Sequence, residues 1–141
     1  MTRINVVPVS ELSDQHLIAE YRELPSVIKQ RINIDDAPEK YCLGKGHMKW
    51  ARKHMKYTAE RYCFICNEMM RRGFTVNYHH FDLCMLANEQ SIFYPDVIND
   101  YKPTDDDLEL NRNRLIEKYQ QRPNWYRWTK TEKPAYMKAL H

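Results

Sequence analysis

The scarcity of glycine constrains the fold of this chain more than any other feature of its sequence. Only three glycines occur in 141 residues, whereas the favoured two-residue turns of β-hairpins need positive φ angles, which glycine adopts at least cost. A meander of tight hairpins is therefore disfavoured, and we expect an all-α fold. The length is typical of a single domain, residues 1–141, built around one hydrophobic core.

Periodic apolar residues and helix-end signals predict three main helices. The first covers residues 13–24, starting at a serine N-cap, and reaches residue 30 if it continues past a kink at Pro25. The second runs from about residue 48 to 72 and ends at a glycine suited to a left-handed cap. The third spans residues 104–122, with a threonine N-cap and an acidic first turn.

The second predicted helix has the clearest apolar face. Trp50, Tyr57 and Phe64 recur at seven-residue spacing on one side of it, and Ile65 and Met69 broaden that side. Such spacing predicts that all five side chains face the core.

Charge is segregated along the chain although the net charge is small. The formal charge is +3, from 22 Lys and Arg against 19 Asp and Glu. Basic residues gather at 45–56, 71–72 and 112–127, and acidic residues at 35–36 and 105–107. This clustering favours an anionic partner such as nucleic acid. No apolar stretch approaches the roughly 20 residues of a membrane span, so we expect a soluble, cytoplasmic protein with reduced cysteines.

The last third of the chain carries a candidate nucleic-acid-binding surface. Basic side chains recur every fourth residue on one flank of the third helix, and an aromatic run follows. Cationic groups neutralise phosphates, and aromatic faces stack on unstacked bases. The alternative is that the aromatic residues fasten the tail to the core, which carries more weight for Trp125 than for Trp128. The candidates are Arg114, Lys118, Arg122, Trp125, Tyr126, Arg127 and Trp128.

The start of the chain offers an unusual nucleophile. Met1 is followed by the small residue Thr2, so we expect removal of the initiator methionine and a free α-amine on Thr2. The reference pKa of such an amine is about 7.7 to 8, against about 10.4 for lysine, so more of it is unprotonated at neutral pH. On the first helix, Glu20 and Glu23 taken alone are typical of a solvated pair. His16 either contacts a phosphate or caps the helix start.

Seven short runs are spread over most of the chain. They are Thr2-Arg3-Ile4-Asn5, Ser10-Glu11-Leu12, Asp14-Gln15-His16-Leu17, Ala19-Glu20-Tyr21-Arg22-Glu23-Leu24-Pro25, Leu43-Gly44-x-Gly46-His47, Arg72-Gly73-Phe74 and Arg122-Pro123-x-Trp125-Tyr126. Together these runs resemble the phage-type pyrimidine-dimer DNA glycosylases, the endonuclease V family, and the similarity extends nearly from end to end. One departure is Ser26, which stands where the phage enzyme has an arginine that contacts the lesion strand.

The resemblance implies a DNA repair enzyme with two linked activities. A glycosylase step cuts the 5′ base of a cyclobutane pyrimidine dimer from its sugar in ultraviolet-damaged double-stranded DNA, and an abasic-site lyase step then cuts the strand by β-elimination. The Thr2 amine and Glu23 would be catalytic, with Arg3 and Arg22 on phosphates. An extended N-terminal segment, residues 2–9, would pack across the helices and bring that amine beside Glu23. We expect a monomer from a phage or bacterial host that needs no cofactor and no metal.

A zinc-dependent nuclease is one alternative, because Cys63 and Cys66 with His79 could supply metal ligands. The two cysteines lie inside a periodic helix without a glycine-containing knuckle, and small buried thiols commonly fill cores. This pattern is therefore weak.

A non-catalytic DNA-binding module is the other alternative. It would need the basic flank and the aromatic tail. It would be indifferent to Glu23 and to the N-terminus.

Overall fold

The computed structural model describes residues 4–29, 33–77 and 95–139. In these ranges the regular structure is helical and no strand is present, which confirms the all-α prediction. No helix among the described residues is long and apolar enough to cross a membrane. The helices are α1 (Asp14–Lys29), α2 (His47–Lys53), α3 (Met55–Arg72), α4 (Asp105–Gln121) and α5 (Ala135–Lys138), with 3-10 turns at Val9–Glu11 and Pro95–Val97.

Helix α1 begins at the predicted cap and passes through its proline. The Ser13 hydroxyl oxygen accepts a hydrogen bond from the amide of His16 (3.1 Å), which satisfies one of the free donors of the first turn. Pro25 lies inside the helix, which ends at Lys29, so the continuation was the correct alternative. Leu17 and Leu24 are fully buried on its inner side.

Two helices, α2 and α3, replace the single helix predicted for residues 48–72. The chain leaves helical geometry at His54 (φ −112°, ψ 54°). In a continuous helix the Tyr57 amide would donate to the Lys53 carbonyl. Here that amide donates to the Asn99 carbonyl (3.4 Å), and the Asn99 side-chain amide donates to the Lys53 carbonyl (2.8 Å). The prediction was wrong because a residue from a distant segment satisfies the groups that an interruption frees.

The buried side of α3 differs in part from the predicted one. Phe64 is 61% exposed, so its predicted place in the core was wrong. Tyr57 is half-buried and still contacts the fully buried Trp50 across the break, with ring centroids 5.9 Å apart. Ile65 and Met69 are buried as predicted, together with Tyr62.

Helix α4 has the predicted ends. The Thr104 hydroxyl accepts from the Asp107 amide (3.1 Å), and the Asp107 carboxylate accepts from the Thr104 amide (3.0 Å), which completes a capping box. Leu115 and Tyr119 are buried. The short helix α5 has no strong signal in the sequence, and its Met137 adds to the core.

The N-terminal segment lies across these helices, as predicted, over the residues that the structure describes. Ile4, Val6 and Val7 are buried although residues 4–8 have no regular secondary structure. Their backbone groups must therefore find partners in side chains of other elements.

Candidate active site

A buried ion pair joins α1 to α3 beneath the N-terminal segment. Glu20 is only 1% exposed, and its carboxylate accepts from Arg61 Nε (2.7 Å) and Nη2 (3.2 Å). The Asn5 side-chain amide donates to the same carboxylate (2.8 Å). The interpretation of Glu20 and Glu23 as a solvated pair is therefore wrong for Glu20. The sequence signal was insufficient because Arg61 lies 41 positions away.

The backbone of the N-terminal segment is held by the same group of side chains. Asn111 Oδ1 on α4 accepts from the amides of Val6 (2.7 Å) and Val7 (3.1 Å), and its Nδ2 donates to Asn5 Oδ1 (2.8 Å). Arg61 Nη1 donates to the Val7 carbonyl (2.5 Å). We call Asn5, Glu20, Arg61 and Asn111 the anchoring network. Sequence analysis missed all of these roles, since each polar residue is unremarkable in isolation.

The N-terminal segment runs antiparallel to α1. The carbonyl of Ser10 accepts from Arg72, which pairs with Asp14 at the start of α1 (3.0 Å). Asn5, which is nearer the N-terminus than Ser10, donates a hydrogen bond to Glu20, which lies further along α1 than Asp14. Descending residue numbers in this segment therefore correspond to ascending numbers on α1.

One of the two catalytic candidates, Glu23, lies toward the far end of this arrangement. Glu23 is half-buried, one turn of α1 beyond Glu20, and Arg22 beside it is exposed. Thr2 and Arg3 lie outside the described residues. The Ser26 hydroxyl donates to the Glu23 carbonyl (2.6 Å), so this side chain bonds back onto its own helix.

His16 and Tyr126 join α1 to the aromatic tail. Their rings stack with centroids 4.7 Å apart and planes 12° from parallel, and His16 Nδ1 lies 2.9 Å from the Ser13 hydroxyl oxygen. Burial, and to a lesser extent the charge of Lys118, lowers the pKa of His16 from 6.5 to about 4. His16 is thus a neutral imidazole near pH 7.

A cavity of about 200 Å³ lies between α1, α4 and the tail. It brings together five of the predicted nucleic-acid-binding residues, His16, Arg114, Lys118, Trp125 and Tyr126. Its lining combines apolar surface with two cations. The full lining is Asn5, Gln15, His16, Ala19, Arg114, Leu115, Lys118, Trp125 and Tyr126.

The two tail tryptophans occupy different environments. Trp125 is 46% exposed, and the Arg122 guanidinium lies 4.3 Å from its ring centroid. The Trp128 indole is half-buried and donates from Nε1 to the Glu11 carbonyl (3.0 Å). The sequence interpretation gave Trp128 the smaller share of core fastening, and the packing favours the opposite assignment.

The tail is fixed by Asp14, whose role the sequence did not indicate. Its carboxylate accepts from the Thr129 amide (3.1 Å) and hydroxyl (2.5 Å), and its own amide donates to the Arg127 carbonyl (2.7 Å). The Arg127 side chain remains exposed. The aromatic run is therefore placed against the first turn of α1.

The zinc alternative combines two described cysteines with a histidine that the structure does not describe. Cys66 is buried on α3 and Cys63 is half-buried one turn earlier. Among the residues with described positions, no group of three His, Cys, Asp or Glu side chains could hold a metal ion. His79 lies outside them.

A known protein family matches the first part of the chain. This family, described as pyrimidine dimer DNA glycosylase, matches residues 1–82, more than half of the chain. The matched range contains the N-terminal segment, Glu23 and the helices α1 to α3. Helix α4 and the aromatic tail lie beyond it.

We predict that the His16 ring titrates with a midpoint near pH 4 in the folded protein, because burial disfavours its cation. Since this pKa lies below the unfolded value, the unfolded chain binds more protons between the two values, and His16 reduces stability as the pH falls through that window. NMR titration of the ring measures the midpoint, with the urea-unfolded chain as control. A folded midpoint near 6.5 would contradict the burial described here.

Proposed function

This chain belongs to the pyrimidine dimer DNA glycosylase family, and on that premise we propose that it cleaves the glycosidic bond of the 5′ base of cyclobutane pyrimidine dimers in duplex DNA and then cleaves the strand as an abasic-site lyase. The family membership makes it a DNA repair glycosylase. The dimer specificity, the lyase step and the residues that carry them are the proposal. The observation that carries it is the anchoring of the N-terminal segment beside α1 within the matched range.

The reaction needs a nucleophile and a proton carrier but no redox partner. The unprotonated Thr2 amine attacks C1′ and loses a proton as the glycosidic C1′–N bond breaks. The base keeps the electron pair of that bond, takes up a proton and remains linked to its neighbour through the cyclobutane ring. The C1′–O4′ bond then breaks, O4′ takes up a proton, and C1′ becomes the carbon of an iminium, which acidifies the C2′ proton. Loss of that proton breaks the C3′–O bond, expels the 3′ phosphate and leaves a C2′–C3′ double bond conjugated with the imine. Water then releases the protein from the imine. Covalent activation of this kind requires neither a metal nor a cofactor.

Chain direction and reach support the pairing of Thr2 with Glu23. Asn5 is fixed at Glu20, and the N-terminal segment runs antiparallel to α1. Three residues of extended chain span at most about 10 Å, and Glu23 lies about 4.5 Å beyond Glu20 along the helix axis. An amine on Thr2 can therefore reach the Glu23 carboxylate.

The assignment of proton transfer to Glu23 follows from the state of Glu20. Both carboxylate oxygens of Glu20 are bonded to Arg61, and one also accepts from Asn5. We therefore assign Glu20 a structural role. Glu23 stabilises the iminium and moves protons as the sugar ring opens.

The DNA would contact one continuous surface that extends from α1 to the tail. Phosphates are assigned to a set of cations whose described members are exposed or half-exposed, and Trp125 supplies a face for unstacked bases. His16 and Tyr126 form part of the cavity wall, and Trp128 supports the tail from beneath. Ser26 carries no charge, so it cannot neutralise a phosphate as an arginine at that position could. The phosphate-contacting set is Arg3, Arg22, Arg114, Lys118, Arg122 and Arg127.

We predict a covalent adduct through the Thr2 amine when dimer-containing duplex is treated with borohydride in the presence of EDTA, because reduction fixes the imine. One residue added before Thr2 should abolish trapping and leave DNA binding intact.

Glu23→Gln should keep the affinity for dimer-containing DNA and lower glycosylase activity on the order of a hundredfold or more, because the amide can neither carry charge nor accept a proton. Glu60→Gln, on the exposed side of α3, is the control and should be silent. Mapping of the adduct to a lysine would refute the mechanism, and EDTA-sensitive cleavage would promote the zinc alternative.

Substitution of the two tail tryptophans should have different effects on lesion binding and on thermal stability. Trp125→Ala should weaken binding to dimer-containing DNA by roughly 1 to 3 kcal/mol with little effect on intact duplex or on the melting temperature, since only a lesion exposes a base face. Trp128→Ala should lower the melting temperature and leave the preference for damaged DNA unchanged. Binding and thermal unfolding are measured on both variants. If Trp128→Ala alone lost the preference for damaged DNA, the assignment would have to be reversed.

A further inference from the structure

Ile4 is held at both of its peptide groups by residues of the loop and helix that follow α1. Its amide donates to His47 Nε2 (3.1 Å), and its carbonyl accepts from the Tyr41 hydroxyl (2.8 Å). Ile4 itself is fully buried. It lies two positions after Thr2, so these two bonds are the last described restraints before the proposed nucleophile.

The hydrogen bonds of His47 define its tautomer. Nδ1 lies 2.7 Å from the Cys42 carbonyl, which can only accept, so Nδ1 carries the proton. Nε2 accepts from the Ile4 amide and therefore carries none. His47 is thus a neutral ring with one nitrogen on its own loop and the other on the N-terminal segment, and it is buried there.

The loop before α2 contains two glycines whose backbone geometry disfavours other residues. Gly44 (φ 70°) and Gly46 (φ 91°) both adopt left-handed geometry, which favours glycine. A Cβ on Gly46 would lie 3.1 Å from Pro38 Cγ. Gly46 is the N-cap of α2, so the turn sets His47 at the first position of that helix. The Gly44-x-Gly46-His47 run thus presents an imidazole to Ile4.

We propose that His47 is a positioning residue for the N-terminal amine, an inference that rests on the proposed function. Its Nε2 fixes the Ile4 amide, and through the one intervening residue, Arg3, it restricts where the Thr2 amine can lie relative to Glu23. Misplacement of a reacting group by about 1 Å can cost on the order of a hundredfold in rate. His47 thus acts on the rate of imine formation rather than on DNA affinity.

Two variants separate the functions of the two ring nitrogens. In His47→Gln, the side-chain oxygen lies near the place of Nε2 and can accept from the Ile4 amide, but the bond to the Cys42 carbonyl is lost. In His47→Asn, the amide nitrogen lies near the place of Nδ1 and can donate to Cys42, but the side chain is too short to reach Ile4. A role confined to loop stability would favour Asn over Gln.

The control for general destabilisation is Met69→Ala. Met69 is buried on α3, 14 residues after its first residue and so roughly 21 Å along the helix from the α2 junction. Its loss should lower the melting temperature without changing the chemistry. All variants are compared below their melting temperatures.

The experiment measures single-turnover borohydride trapping at saturating dimer-containing duplex, together with the dissociation constant of that duplex. We expect His47→Asn to trap on the order of a hundredfold more slowly with unchanged affinity, and His47→Gln to retain most of the wild-type rate. Equal rates for Gln and Asn, or losses that follow melting temperature as in Met69→Ala, would overturn the positioning role. The wild type is assayed first: failure to form a Thr2 adduct there would refute the proposed function itself, separately from the role of His47.

Discussion

The Glu20–Arg61 ion pair is the interaction on which the rest of the structure depends. Removal of two charges from water is costly, and the cost is offset here because the carboxylate also accepts from Asn5 and the guanidinium also donates to the Val7 carbonyl. The pair joins α1 and α3, and through Asn5 it reaches Asn111 on α4. Loss of one partner would leave an unpaired buried charge and would lower the free energy of unfolding by about 3 to 5 kcal/mol.

Local signals predicted the fold where the determinants were local. The capping box at Thr104 and the serine cap of α1 were readable because each cap bonds within its own first turn. The break at His54 was not readable, since it depends on Asn99, 46 positions from the carbonyl that it satisfies. The burial of Glu20 was hidden for the same reason. The site is therefore less predictable than the helices, because long-range polar contacts build it.

Helix α1 links the two halves of the proposed site. Glu23 lies toward its C-terminal half, while His16 in its first turns stacks on Tyr126 and borders the cavity. The environments of the two tryptophans could not be predicted from an aromatic-rich run alone, because Thr129, next to Trp128, is held by Asp14 at the start of α1. On the proposed function, a lesion contacted at Trp125 and a sugar attacked near Glu23 would both be positioned along α1.

Native-state hydrogen exchange at the amides of Val6 and Val7 tests the anchoring network most directly. Both amides donate to the buried Asn111 side chain, so we predict that they exchange only through global unfolding, with the same protection free energy as the centre of α3 around Ile65. Exchange of the two amides by local fraying, while α3 remains fully protected, would show that the N-terminal segment is not fixed and would contradict the positioning of the amine.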